Sequence, residues 1–118
     1  MMKQWIGAKI HGIRVTDKSV KYFGSVGICL DLMDACGISP YEKVSIVNLT
    51  NGNRWETYAI PAPIGIFTLN GGGARLGEIG DECVIMTFVL SENYYPAHVV
   101  HLTDKNTVES AFRYEVKS

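Results

Sequence analysis

Residues 43–60 read KVSIVNLTNGNRWETYAI, and this stretch sets the fold class. The β-branched run Lys43 to Leu49 predicts a strand. Asn51-Gly52 is a two-residue hairpin signal, because both residues accept the positive φ angles of a tight turn. The return strand is Asn53 to Ile60. Side chains alternate along it, so Arg54, Glu56 and Tyr58 share one face while Trp55, Thr57 and Ala59 share the other. Pro61-Ala62-Pro63 is expected to end the strand, since proline cannot donate to a ladder.

The same pattern spreads in both directions. Trp5 to Val15 reads as a strand with Lys9 and His11 on one side. Asp17-Lys18 is expected to turn the chain, and Val20 to Ile28 reads as a second strand containing Gly24-Ser25. Asp31 to Cys36 is a short helical turn that Gly37 stops. After the hairpin come a short apolar strand, Ile64 to Leu69, and a loop of exposed, unhindered backbone at Asn70-Gly71-Gly72-Gly73. Gly80-Asp81 turns into Cys83 to Leu90, the most apolar strand. His98 to Leu102 and Val108 to Val116 complete the chain, the last compatible with strand or helix. Many short strands and little helix predict a mainly β protein, a small closed β-barrel with short helical turns, because closure removes exposed edges.

The chain has 118 residues and a formal net charge of -1, which predicts one domain with a single core. That balance offers no electrostatic attraction to nucleic acid or an anionic membrane. No apolar run reaches the length of a membrane span. Lys3, Lys9 and His11 interrupt the N-terminal apolar pattern, so no signal-peptide core is formed and a cytoplasmic protein is expected. Cys29, Cys36 and Cys83 have neither zinc nor redox-pair spacing and read as reduced core thiols. His98 and His101, three apart in a strand, point to opposite faces and make no metal pair.

Several residue types nevertheless have chemistry available. Glycine permits backbone angles closed to other residues, so a strained peptide can sit at Gly24. The Ser25 hydroxyl can turn onto the preceding carbonyl, although a Gly-Ser pair alone is usually an ordinary piece of strand. Arg54 and Tyr58 lie about 13 Å apart at their Cα atoms, close enough for long side chains to converge on a small anion. The competing reading is a solvated Arg54 paired with Glu56. Lys9 is either a second positive charge or a surface lysine. The Gly71, Gly72 and Gly73 backbone either cradles a carboxylate or is a flexible turn. It lacks the Lys-Ser/Thr of a nucleotide loop.

In order and spacing these pieces resemble the bacterial pyruvoyl-dependent aspartate 1-decarboxylases. The resemblance runs from Ala8-Lys9-Ile10-His11 through Tyr22-Phe23-Gly24-Ser25 and Ile28-Cys29-Leu30-Asp31-Leu32-Met33-Asp34-Ala35. It continues through Asn51-Gly52-Asn53-Arg54, Glu56-Thr57-Tyr58-Ala59-Ile60, Asn70-Gly71, Ala74-Arg75-Leu76 and Gly80-Asp81. It implies a six-stranded double-psi β-barrel, assembled as a homotetramer with active sites between protomers. It implies a zymogen that cleaves itself into a β chain of residues 1–24 and an α chain of residues 25–118, with Gly24, Ser25 and Thr57 taking part. Ser25 would become a covalent pyruvoyl cofactor and form a Schiff base with L-aspartate, yielding β-alanine and CO₂ for pantothenate supply.

In that family Tyr58 matches the proton donor. Arg54, Lys9 and Thr57, with Asn70 and Gly71 to Gly73, match substrate contacts. Neither a metal nor pyridoxal phosphate is implied, and some members use a maturation partner. Two alternatives stand beside this reading: the same mechanism on another small amino acid, and an unprocessed barrel serving as a binding module. The stretch Pro61-Ala62-Pro63-Ile64-Gly65-Ile66 is shorter than the family's and lacks its arginine, and Gly72 and Gly73 replace common alanines. Ideal alternation also points Thr57 away from Arg54 and Tyr58. That predicts either a bulge in the strand or a site to which its two faces contribute separately.

Overall fold

The computed structural model describes residues 1–115, so Val116, the expected end of the last strand, lies outside them. Among the described residues there are nine strands: β1 (Lys3–Arg14), β2 (Asp17–Ser19), β3 (Ser25–Cys29), β4 (Lys43–Asn48), β5 (Arg54–Ala62), β6 (Phe67–Asn70), β7 (Glu82–Ser91), β8 (His98–Leu102) and β9 (Val108–Arg113). Helix α1 (Leu30–Cys36) follows β3, and a 3-10 helix (Gly71–Leu76) follows β6. Helix α1 buries Leu32, Met33 and Cys36, and it ends where Gly37 turns left-handed at φ 69°, a conformation that costs glycine nothing.

The ladder order is β2-β6-β3-β5-β4-β7-β1-β8-β9. Hydrogen bonds do not close it into a ring; the chain does. Only Val15 and Thr16 separate β1 from β2, and they join β2, at one end of the ladder, to β1, six places along it. The Val15 N–H donates to Asp81 O at 3.0 Å and the Thr16 N–H to Phe67 O at 2.9 Å. With β1 and β2 taken as one run, six strands surround the core: β1/β2, β6, β3, β5, β4 and β7. This is the expected six-stranded barrel, with β8 and β9 added along the free edge of β1. Ile10, Val26, Ile28, Ile46, Ala59, Phe67, Leu69 and Ile85 fill its interior. The three thiols are buried and unpaired. Burial pushes Cys29 and Cys36 up to about 11 and Cys83 up to about 12, so they are inert neutral thiols at ordinary pH.

Several boundaries differ from expectation, each for a local reason. Asp17-Lys18 does not turn the chain; it lies in β2, parallel to β6, with Lys18 paired to Glu78 at 2.9 Å. The turn comes later, where the Tyr22 N–H reaches Ser19 O. The expected strand Val20 to Ile28 therefore begins only at Ser25. The hairpin loop is five residues long, Leu49 to Asn53, in which Asn48 Oδ1 accepts from the Thr50 N–H and Asn51 Oδ1 from the Asn53 N–H, while the Asn48 N–H reaches Asn53 O at 2.8 Å. Strand β5 runs through Pro61. Strand β4 begins at Lys43, opposite Tyr58, so beyond that pair one side of β5 has no ladder for proline to break. Residues 71–76 form a 3-10 helix with Gly71 buried, not an exposed loop. Val108 to Arg113 is strand, antiparallel to β8.

Candidate active site

Ser25 is the first residue of β3 and is buried, while Gly24 before it is exposed and outside the strand. The register pairs Ser25 with Asn70 across the antiparallel β3–β6 ladder, so both side chains leave the same, non-core face of the sheet. There the Asn70 Nδ2–H donates to Ser25 Oγ at 2.9 Å. The bond occupies one acceptor site of the hydroxyl and orients it, leaving its own proton free.

The strain expected at Gly24 is absent. Its φ is not among the positive values, and a Cβ built on it would meet nothing within 4 Å. The demanding glycine is Gly71. It is left-handed at φ 63°, and a Cβ there would stand 2.8 Å from both Cα and N of Gly24 and 3.1 Å from Tyr22 O. Gly71 thus lets the 3-10 helix press directly on the backbone just before Ser25. Gly72 has open space around it, and a Cβ on Gly73 would lie 3.0 Å from Trp55 Nε1.

Strand β5 lies on the other side of β3, paired in parallel with Val26 opposite Ala59. One step earlier, Ser25 comes level with Tyr58. Since Val26 and Ala59 point into the core, Ser25 and Tyr58 share the outer face, together with Glu56 and Arg54. The β4–β5 register is continuous from Lys43–Tyr58 to Val47–Arg54, which removes the bulge considered for Thr57. Thr57 stays on the core-side face, opposite Val44. Glu56 pairs with Lys43 at 3.2 Å, and among the described residues Arg54 has no ion-pair partner. Arg54 instead borders an open groove of about 480 Å³, lined also by Gln4, Ser45, Ile46, Trp55, Glu56 and Phe88. Ser25, Tyr58 and Lys9 are not part of that groove.

Lys9 sits still farther away. The rows Lys9–Met86, Met86–Ser45 and Ser45–Glu56 run straight across the sheet, which places three strand spacings, about 14 Å, between β1 and β5. The Lys9 ammonium donates to Tyr114 Oη at 3.3 Å and lies 5.8 Å from the centre of that ring. Beside it His11 stacks on His101, ring centroids 5.0 Å apart. Desolvation, then the neighbouring His101 and Lys9, lowers the His11 pKa. Within one chain, Ser25, Asn70, Gly71 and Tyr58 therefore gather at one place, while Arg54 and Lys9 stand apart from it on the same barrel surface. Among the described residues no cluster of His, Cys, Asp and Glu could hold a metal ion, and no helix is long and apolar enough to cross a membrane.

One supporting feature was not foreseen from the sequence. The amides of Asn48, Asn51 and Asn53 all donate to Leu76 O, at 3.2, 3.0 and 3.1 Å. Leu76 ends the 3-10 helix that begins at Gly71, so the hairpin loop ties down the far end of the segment pressing on Gly24. The closely spaced asparagines were the available signal, but turn preference accounts for them equally well.

Comparison with known proteins agrees with this architecture. The chain is 45% identical over 121 residues to the aspartate 1-decarboxylase of Trichormus variabilis, covering 98% of this chain and 95% of that one. It is 43% identical over 121 residues to that of Neisseria meningitidis, with the same coverage. With that of Carboxydothermus hydrogenoformans it is 50% identical over 86 residues, 71% of this chain and 68% of the other. The fold and these matches define the class, a decarboxylase built on a double-psi β-barrel. Residues 1–109 match the model described as aspartate decarboxylase, and the chain belongs to that family.

Proposed function

We propose that the chain cuts itself between Gly24 and Ser25 and that the resulting α chain, residues 25–118, decarboxylates L-aspartate to β-alanine and CO₂. The observation that carries this reading is the held hydroxyl: Ser25 Oγ fixed by Asn70, directly after a peptide against which Gly71 packs. Attack of Ser25 Oγ on the Gly24 carbonyl carbon moves the acyl group from nitrogen to oxygen. Loss of the Ser25 Cα proton then expels the Gly24 carboxylate and leaves a dehydroalanine. Water adds to its tautomer, ammonia leaves, and a pyruvoyl group remains on the new N-terminus.

The residues present fit such a group. The position is buried, on a strand, with the Asn70 amide as donor and Tyr58 level with it on the neighbouring strand. The ketone supplies an electron sink for the pair left on Cα by departing CO₂, which no natural side chain offers. The protein's own groups do the rest. Tyr58, level with Ser25 on the same face, delivers the proton to Cα. The planar fork of Arg54 suits bidentate capture of the retained side-chain carboxylate, and Lys9 adds positive charge. Holding the retained carboxylate firmly and the departing one loosely keeps binding from stabilising the ground state. Asn70 and the backbone of Gly71 to Gly73 complete the contacts, and Thr57 assists the cleavage from the other face of β5.

Because Arg54 and Lys9 stand away from Ser25 within one chain, we assign the complete site to a homotetramer in which a neighbouring protomer brings the carboxylate clamp to each Ser25. A maturation partner would accelerate cleavage without entering the site. The product makes the protein a source of β-alanine for pantothenate. CO₂ release measured over a panel of amino acids tests the reading. Aspartate should turn over fastest, and Ser25→Ala should fold yet release none. Faster turnover of glutamate or another amino acid overturns the substrate assignment, and activity in Ser25→Ala overturns the pyruvoyl assignment.

A further inference from the structure

The turn that leads into β4 holds a residue in a conformation foreign to its type. In Ser39-Pro40-Tyr41-Glu42 the Glu42 N–H donates to Ser39 O at 3.1 Å. Proline stands second and Tyr41, third, has φ 69°. Proline at the second position and positive φ at the third are the marks of a type II turn, whose third position favours glycine or asparagine. A bulky side chain there is a true outlier. The surroundings enforce it. The Tyr41 N–H donates to Ala59 O at 2.7 Å and the Ala59 N–H to Glu42 O at 3.0 Å, while the Ser39 N–H is held by Glu42 Oε1 at 2.9 Å.

Burial does not explain the choice of tyrosine, for Tyr41 is 77% exposed. Its ring does meet one neighbour: it lies 6.2 Å from the ring of Tyr58, the planes 33° apart. Tyr58 faces Lys43 across the ladder, and Lys43 is drawn aside by Glu56 at 3.2 Å. Tyr41 is therefore the aromatic contact of the phenol that the proposed reaction uses. A local rule broken without gain in packing points to a functional constraint.

We infer that Tyr41 is a positioning residue for Tyr58. Its ring limits the rotamers of Tyr58 and keeps the phenol on the part of the barrel surface that Ser25 occupies. The role in turnover rests on the function proposed above; the positioning itself does not.

Two variants of the full chain separate the possibilities. Tyr41→Asn removes the ring and suits the left-handed backbone, so Tm should hold or rise. Tyr41→Phe keeps the ring and should behave as wild type. The Tyr58 χ1 angle, read from NMR couplings with Tyr58→Phe used for assignment, should occupy one rotamer in wild type and Tyr41→Phe and average over several in Tyr41→Asn. The kcat for aspartate should fall about tenfold in Tyr41→Asn, part of the gain a placed general acid supplies, with KM and the cleaved fraction little changed. A single Tyr58 rotamer in Tyr41→Asn overturns the inference whatever the activity, as does wild-type kcat in that variant. Averaging in Tyr41→Asn together with a fully cleaved wild type that releases no CO₂ from aspartate supports the positioning and overturns the proposed substrate instead.

Discussion

At Gly71 two requirements meet, a left-handed backbone and no room for a side chain, since a Cβ would stand 2.8 Å from the Gly24 main chain. Gly71→Ala should therefore destabilise the fold by about 1–3 kcal/mol and slow or abolish cleavage. Gly72→Ala, with open space around it, should cleave like wild type. Melting temperature and cleaved fraction, measured together, check both. Asn70→Ala removes the bond to Ser25 Oγ, worth about 1 kcal/mol or more, and should slow the appearance of fragments about tenfold without unfolding the chain. Ser25 and Asn70 were each singled out in the sequence by residue type and order, but their hydrogen bond was not, since it comes from the β3–β6 register. The seat of conformational constraint was not legible either. Reading Gly24-Ser25 as a pair placed it at Gly24, whereas the close approach comes from Gly71, a contact between residues far apart in the chain.

Among the elements, the 3-10 helix from Gly71 to Leu76 is held at its end by the hairpin loop. Asn48 is fully buried and bonds both Leu76 O and Asp81 Oδ2, at 3.2 and 2.9 Å. Asn48→Ala removes one donor from each, while Leu76 O keeps the Asn51 and Asn53 amides and Asp81 Oδ2 keeps the Glu78 N–H, so it should cost about 1 kcal/mol in denaturant unfolding. The same amide, then the Glu78 N–H, holds the Asp81 carboxyl below its ordinary value of 3.8. A folded-state pKa below the unfolded one contributes stability that is complete above the unfolded value and is lost as pH falls through the folded one. Wild type should thus lose stability on acidification below 3.8, and Asp81→Asn should lose less; denaturant midpoints from pH 3 to 6 check this. Alternation along β5 and the stop at Gly37 were legible because they are local. The bulges in β1, between Ile6 and Ala8 and between His11 and Ile13, were not, because register depends on β7. The strand's start at Ser25 was hidden for the same reason: β6 supplies its partner.

For the whole molecule, the barrel accounts for where Ser25 lies and for the distance of Arg54 and Lys9 from it. Strand β3 lies between β5 and β6, so Ser25 has Tyr58 on one side and Asn70 on the other, while the ring of strands carries Lys9 around to another part of the surface. A site completed between protomers makes a sharp prediction. Co-expressed Ser25→Ala and Arg54→Ala chains, each inactive alone, should together recover activity, because some interfaces pair an intact Ser25 with an intact Arg54. Activity no greater than the sum of the separate variants would place the site within one chain. Cleavage of the backbone between Gly24 and Ser25 is read directly by denaturing mass spectrometry of the purified, incubated protein. Two fragments should appear, residues 1–24 and residues 25–118, the larger blocked at its N-terminus and lighter than the serine-terminated peptide by the mass difference between an amino-terminal serine and a pyruvoyl group. A single intact chain, persisting after prolonged incubation with cell extract to supply any maturation partner, would contradict that cleavage.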